Sequence, residues 1–252
     1  MDRAYWNRMG RAYEAEIFSV LAHDRAGRIA AKVRRYGKRS HTATDIGCGI
    51  GHFLPMLSRR FRKVLALDIS ATCLARARQA HAALANVSYR VADLARPGVR
   101  LPPADFALCV NAAITPAPGP RNRLLDLACR HLRPGGHLVL VVPALESIFL
   151  TDFRLIEWNL RDGQPPARAA GAGFRAYRPV RRPRAHEGVV KIDGVDTKHF
   201  LREEVLALLA ARRLRTLEVE KLEYPWSTEF TQPPRWMQAP YPWDWLFVAQ
   251  KS

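Results

Sequence analysis

From Thr42 onward, short apolar runs alternate with stretches whose apolar positions recur every three or four residues. The runs at 42–46, 63–67, 87–91, 105–110 and 137–142 have strand length and predict five strands. Between them, 51–61, 71–84 and 120–132 carry helical spacing. A helix over 201–213, a strand over 215–222 and a last strand at Trp245–Ala249 continue the rhythm. Strands alternating with helices predict an α/β fold, doubly wound, with a mostly parallel seven-stranded sheet and helices on both faces.

Two regions depart from that rhythm. Near the start, Trp6, Met9, Tyr13, Ile17 and Leu21 share three- and four-residue spacing, which predicts one amphipathic helix over 4–21. After the fifth strand, a helix from Leu145 to Leu160 gives way to GQPPARAAGAG, then to Arg- and Pro-rich sequence and a short strand at Val189–Asp193. The expected organisation is one domain: an N-terminal helical cap or lid at 1–40, a core at 42–143, an insertion or substrate lid at 144–198, and a C-terminal helix and strands at 199–252. Gly135 and Gly136 in Arg133-Pro134-Gly135-Gly136 are expected to end the helix before the fifth strand.

Composition narrows the class. A chain of 252 residues with 48% hydrophobic and 25% charged residues has enough apolar sequence for a sizeable core. No apolar run is long enough to span a bilayer, so membrane insertion is not expected and the expected location is cytoplasmic. Cys48, Cys73, Cys109 and Cys129 are far apart, with neither a CxxC nor a Cys/His ligand spacing, so no metal site and no disulfide framework is expected. The formal net charge of +17 admits a nucleic-acid partner. It equally describes an arginine-biased surface, since only Arg59 to Lys63 and Arg175 to Arg184 form clusters.

The chemistry concentrates where the first strand turns into the first helix, at Thr44-Asp45-Ile46-Gly47-Cys48-Gly49-Ile50-Gly51. Glycines there let the backbone approach a ligand closely. An acidic residue before GxGxG differs from the GxGxxG spacing that seats a dinucleotide pyrophosphate on a helix N-terminus, and suits a zwitterionic amino-acid group better. Val64-Leu65-Ala66-Leu67-Asp68 ends its strand in a carboxylate 17 residues after Gly51, placed to accept hydrogen bonds from two hydroxyls. Val91-Ala92-Asp93-Leu94 follows the third strand, and Asn111 ends the fourth at the edge where open α/β sheets bind ligands.

Together these motifs, from about Thr42 to Pro143, resemble the class I S-adenosylmethionine-dependent methyltransferases. The resemblance implies that Asp45, Gly47, Cys48, Gly49 and Gly51 surround the methionine part of the cofactor. It further implies that Asp68 holds the ribose, that Ile69, Asp93 and Leu94 meet the adenine, and that Asn111 and Tyr13 border the cofactor. The implied cofactor is S-adenosyl-L-methionine.

The acceptor side is less determined. The fourth strand ends Asn111-Ala112-Ala113-Ile114, unlike the Asn/Asp-Pro-Pro-Tyr of enzymes that methylate adenine or glutamine amino groups. No Pro-Cys or Thr-Cys nucleophile motif is present. The expected activity is methyl transfer to oxygen or nitrogen of a small molecule, a specialised metabolite, mainly by positioning and exclusion of water. His199, Tyr224, His23 and Glu146 are the candidates for a base, with His199 and Tyr224 foremost. An RNA or protein methyltransferase using the basic surface, and a cofactor-binding protein without catalysis, are the alternatives. The oligomeric state is left open.

Overall fold

The computed structural model describes residues 1–176, 185–192 and 194–252, with the side chains of 172–185 excepted. In the described residues the strands are β1 (Thr42–Ile46), β2 (Lys63–Asp68), β3 (Val87–Val91), β4 (Ala104–Val110), β5 (Leu132–Pro143), β6 (Val189–Ile192), β7 (Val195–Lys198), β8 (Leu214–Glu223) and β9 (Trp243–Lys251). Seven of them form one sheet in the order β3-β2-β1-β4-β5-β9-β8, while β6 and β7 pair as a separate antiparallel hairpin. The first five are parallel, and β9 runs antiparallel between β5 and β8. This is the mostly parallel seven-stranded α/β sheet that the alternating pattern predicts.

The central strands are buried on both faces, which is why they read as nearly continuous apolar runs. Alternation assigns their side chains to two cores. Ile46, Ala107, Cys109, Leu138 and Leu140 pack with helices α7 (Pro118–Arg130) and α10 (Arg202–Ala210). Ala43, Phe106, Leu108, Val139 and Val141 pack with α4 (Arg28–Tyr36), α5 (Leu54–Arg60) and α6 (Ala71–Ala80). Phe106 and Leu108 are fully buried, and truncating either to Ala removes about 2–5 kcal/mol of stability.

The single N-terminal helix expected over 4–21 is three short ones: α1 (Arg3–Met9), α2 (Tyr13–Glu16) and α3 (Val20–His23). The break comes at Gly10, whose backbone lies against α6. A Cβ there would come within 2.8 Å of the Cys73 sulfur. Asn7 Oδ1 accepts a hydrogen bond from the Ser70 hydroxyl at 2.8 Å, and Arg76 donates to the Gly10 carbonyl at 2.8 Å. Tertiary contacts thus divide a segment whose apolar spacing alone reads as continuous.

Three further differences stand out. GQPPARAAGAG lies largely within α9 (Pro166–Ala176), which follows α8 (Leu145–Arg161). Proline is tolerated at a helix's first position, and the alanines outweigh the glycines. The expected strand at Val189–Asp193 has a partner, β7, that a four-residue run of mixed polarity does not announce; Asp193 itself lies outside the described residues. Gly135 and Gly136 fall inside β5 and do not cap α7, which ends at Arg130. Gly136 meets neighbouring backbone so closely that a Cβ would reach the Asp105 carbonyl oxygen at 3.1 Å. The basic side chains from Arg175 to Arg184 lie outside the described residues.

One ionic clamp fixes the edge of the sheet. Lys32 of α4, almost fully buried, donates to Glu218 of β8 at 2.5 Å and also to Glu220. Arg28 reaches Glu220 at 2.8 Å, Arg35 reaches Glu218 at 3.2 Å, and the Tyr36 hydroxyl donates to Glu218. Burial alone would lower the Lys32 pKa, but the two glutamates raise it. Among the described residues no helix is long and apolar enough to cross a membrane.

Candidate active site

At the C-terminal ends of β1 and β2 the chain builds a turn that only glycine adopts easily. Gly47, Gly49 and Gly51 have φ of 70°, 54° and 89°, in the left-handed region. The Gly47 and Cys48 N–H groups both donate to the Leu67 carbonyl, at 2.8 and 2.9 Å, which ties the turn to β2. Asp68 completes the tie: Oδ2 accepts from the Gly49 N–H at 2.9 Å and Oδ1 from the Ser70 N–H at 2.8 Å. Each Asp68 oxygen retains a further lone pair for a ligand.

Asp45 is buried at 2% exposure, and its Oδ2 has no hydrogen-bond partner. Burial, aided by the negative charge of Asp68, pushes its carboxyl up to about 7. A sealed carboxylate oxygen without a donor is costly. It is relieved by a cationic donor such as an ammonium group. Tyr13, carried by α2, covers Gly49 so closely that a Cβ on that glycine would clash with its hydroxyl. Loss of hydration, then the nearby Asp68, raises the Tyr13 phenol above its ordinary value. His52 meets the edge of the Tyr13 ring at 6.1 Å.

Asp45, Gly47, Cys48, Gly49, Gly51, Asp68 and Tyr13 are thus gathered around one turn. Ile69 follows directly, and the backbone brings Asp93 alongside, since the Ala92 N–H donates to the Asp68 carbonyl at 2.9 Å. The Asp93 carboxylate accepts from the Ala95 N–H at 3.1 Å and lies 3.6 Å from Arg96, while Leu94 is buried in the core. Cys48, Cys73, Cys109 and Cys129 are free and buried, and loss of hydration raises all four thiols.

Asn111 faces differently from its neighbours. Its φ of 48° puts it in the left-handed region, which asparagine enters more readily than most residues. Its amide nitrogen donates to Asp244 Oδ2 at 3.0 Å, and its Oδ1 is buried without a partner. The Tyr224 hydroxyl donates to the same Asp244 oxygen at 2.9 Å. Loss of hydration raises the Asp244 carboxyl, and the hydrogen bonds from Asn111 and Tyr224 lower it only in part. His23 and Phe18 stack at 4.6 Å, and Phe18 meets the Tyr224 ring edge-on at 5.0 Å. Asp244 is the residue that sequence reading missed; the only signal was an acid in an otherwise apolar strand, Trp243-Asp244-Trp245-Leu246-Phe247.

The other proposed bases have local duties. His199 is 6% exposed; its Nδ1 pairs with the Thr197 carbonyl at 3.2 Å, and burial pulls its pKa down to about 4. None of its hydrogen bonds reaches Asn111, Tyr224 or Asp244. Glu146 accepts from the Arg202 N–H and the Trp245 indole N–H, both at 3.0 Å, and so joins three elements. Aromatic residues between Trp226 and Trp236 pack largely on α8. Trp226 stacks on Phe230 at 5.6 Å, Phe230 meets Trp158 at 5.8 Å, and the Arg161 guanidinium lies 4.1 Å from the Trp236 ring centre.

Residues 43–136 match the methyltransferase domain family. Trans-aconitate 2-methyltransferase of Azoarcus sp. strain BH72 is 35% identical over 141 residues, 55% of this chain and 51% of that enzyme. The enzyme of the same name from Deinococcus radiodurans is 38% identical over 102 residues, 40% of this chain and 37% of that one. The match therefore spans about half or less of the curated relatives' length. In fold, the chain resembles the N-methyltransferase NodS of Bradyrhizobium japonicum WM9 in complex with S-adenosyl-L-homocysteine, with a TM-score of 0.60, 13% identity and 98% of both chains covered. The glycine turn, its two carboxylates and the sheet order agree with these matches: residues 43–136 match a methyltransferase domain, set in the fold shared with S-adenosylmethionine-dependent methyltransferases.

Proposed function

We propose that the protein is an enzyme that transfers a methyl group from S-adenosylmethionine to oxygen or nitrogen of a small molecule. One observation carries the cofactor assignment: Asp45 Oδ2 is sealed from water without a donor, next to a glycine turn that Asp68 holds by the Gly49 N–H. An amino-acid ammonium group and two ribose hydroxyls supply the donors that these carboxylates lack. Gly47, Gly49 and Gly51 allow the tight positive-φ turn, and Tyr13 closes over it at Gly49. The cofactor supplies a methyl group on a positively charged sulfur. The chain positions the acceptor and keeps water out.

Calorimetric titration tests this assignment. Both S-adenosylmethionine and S-adenosylhomocysteine are expected to bind saturably at or below millimolar concentration. The absence of saturation with either ligand overturns it.

A further inference from the structure

The acceptor side of the domain is acidic in a chain of net charge +17. Asp244, the second residue of β9, lies beside the end of β5, where it pairs with Pro143, and Asn111 follows the tip of β4. Ala112, the next residue, presses on the glycine turn: a Cβ on Gly47 would come within 2.5 Å of its methyl. The Asn111–Asp244 pair is therefore one residue removed from the backbone assigned to the cofactor.

The hydrogen bonds at this place are lopsided. Asn111 and Tyr224 both donate to Asp244 Oδ2, and no hydrogen bond in the described residues ends on Oδ1. Asn111 Oδ1 is buried and has no partner. Two oxygens, one anionic and one amide, thus await donors. Among the described residues no ion pair involves Asp244, Glu229 or Asp24, although the chain has 40 Lys and Arg. The groups acting on this cluster are acidic. The charges of Asp244, Asp24 and Glu229, after loss of hydration, raise the Tyr224 phenol, and Asp244 likewise raises Glu229. Lys221, one strand away, points to the other face, with its ammonium 3.7 Å from the Trp243 ring centre.

Phe18, with 44% of its surface exposed, forms an aromatic wall with His23 and Tyr224. Such rings attract cations.

We propose that Asn111, Tyr224 and Asp244 form the acceptor subsite and select an amine bound as its ammonium. The inference rests on the methyltransferase function proposed above. An ammonium group has three N–H donors and no acceptor, which suits Asn111 Oδ1 and Asp244 Oδ1 together. A hydroxyl has one donor, and a carboxylate has none and meets only negative charge. Transfer of one proton from the bound ammonium to Asp244 leaves a neutral amine with a free lone pair and a neutral carboxyl group, so charge and atoms balance. The lone pair is what a methyl group on a sulfonium requires. Tricarboxylates such as trans-aconitate, named for the relatives, are excluded by the same charges.

The test uses the full chain with S-adenosylhomocysteine, whose binding is measured first; failure there removes the proposed function, not the subsite alone. Once that complex forms, phenethylammonium and trans-aconitate are compared by saturation-transfer NMR and calorimetry. Phenethylammonium is expected to bind, at least tenfold more weakly in Asp244→Asn, with S-adenosylhomocysteine affinity unchanged. Its binding should weaken as pH falls and Asp244 is protonated. Tyr224→Phe, which deletes one donor to that carboxylate, should move the midpoint of this loss to higher pH even if Asp244→Asn fails to fold. Binding of trans-aconitate, an ammonium affinity unaltered in folded Asp244→Asn, or an unmoved midpoint in Tyr224→Phe overturns the proposal.

Discussion

The two halves of the site are built from acids held in opposite ways. On the cofactor side, Asp68 takes its hydrogen bonds from the backbone of Gly49 and Ser70, 19 and 2 residues away. On the acceptor side, Asp244 takes them from side chains of Asn111 and Tyr224, 133 and 20 residues away. The first half is fixed by a turn that the local sequence specifies. The second exists only when β9 inserts beside β5. Backbone donors tolerate changes in neighbouring side chains, whereas a cluster of side chains changes its chemistry with each substitution.

The largest expected effect exploits pH. Asp45, with its carboxyl raised to about 7, is favoured in its protonated form by folding, so the unliganded protein loses stability as pH rises from about 4 to 7. His199, pulled down to about 4, is favoured neutral by folding, so stability is lost as pH falls from about 6.5 to 4. Each contribution is roughly 3–4.5 kcal/mol at full strength, and over this window they oppose one another. Asp45→Asn is expected to leave a protein whose urea midpoint climbs from pH 4.5 to 7.5, and His199→Gln one whose midpoint declines. The same sign of slope in both variants would show that Asp45 and His199 do not set the pH dependence of stability.

Next in size, Asp68→Ala is expected to weaken S-adenosylhomocysteine binding by about 1.5–3 kcal/mol, since charge-assisted hydrogen bonds are lost. Calorimetry gives the comparison, and an unchanged dissociation constant in the folded variant would remove Asp68 from the cofactor half. Smaller still, Lys32→Met is expected to cost about 2 kcal/mol in urea unfolding. It leaves Glu218 and Glu220 to Arg28, Arg35 and Tyr36. Because the clamp holds β8 at the sheet edge, cofactor affinity should stay within about twofold. A tenfold loss would mean that the two halves are mechanically coupled.

The parts legible in the sequence share one property: their pattern is short in range. Alternation of strand and helix marks β1 to β4 to within a few residues, and Asp45, Gly47, Gly49 and Asp68 stand out by spacing along a single βαβ unit. The misread parts depend on distant partners. Gly10 interrupts the N-terminal helix because α6 lies against it, and Gly136 lies inside β5 because the Asp105 backbone crosses it. The β6–β7 hairpin is too short and too polar to show a period of its own.

The sequence by itself determined the α/β class, the glycine turn and the carboxylates beside it, because local periodicity and positive-φ geometry constrain residue type directly. Only the tertiary structure decided that Asn111 turns toward Asp244 and that Tyr224 joins it. Only the tertiary structure left Asp45 sealed without a donor. Hydrogen bonding and burial between residues far apart in the chain depend on how strands are ordered in the sheet, and no spacing along the chain encodes that order.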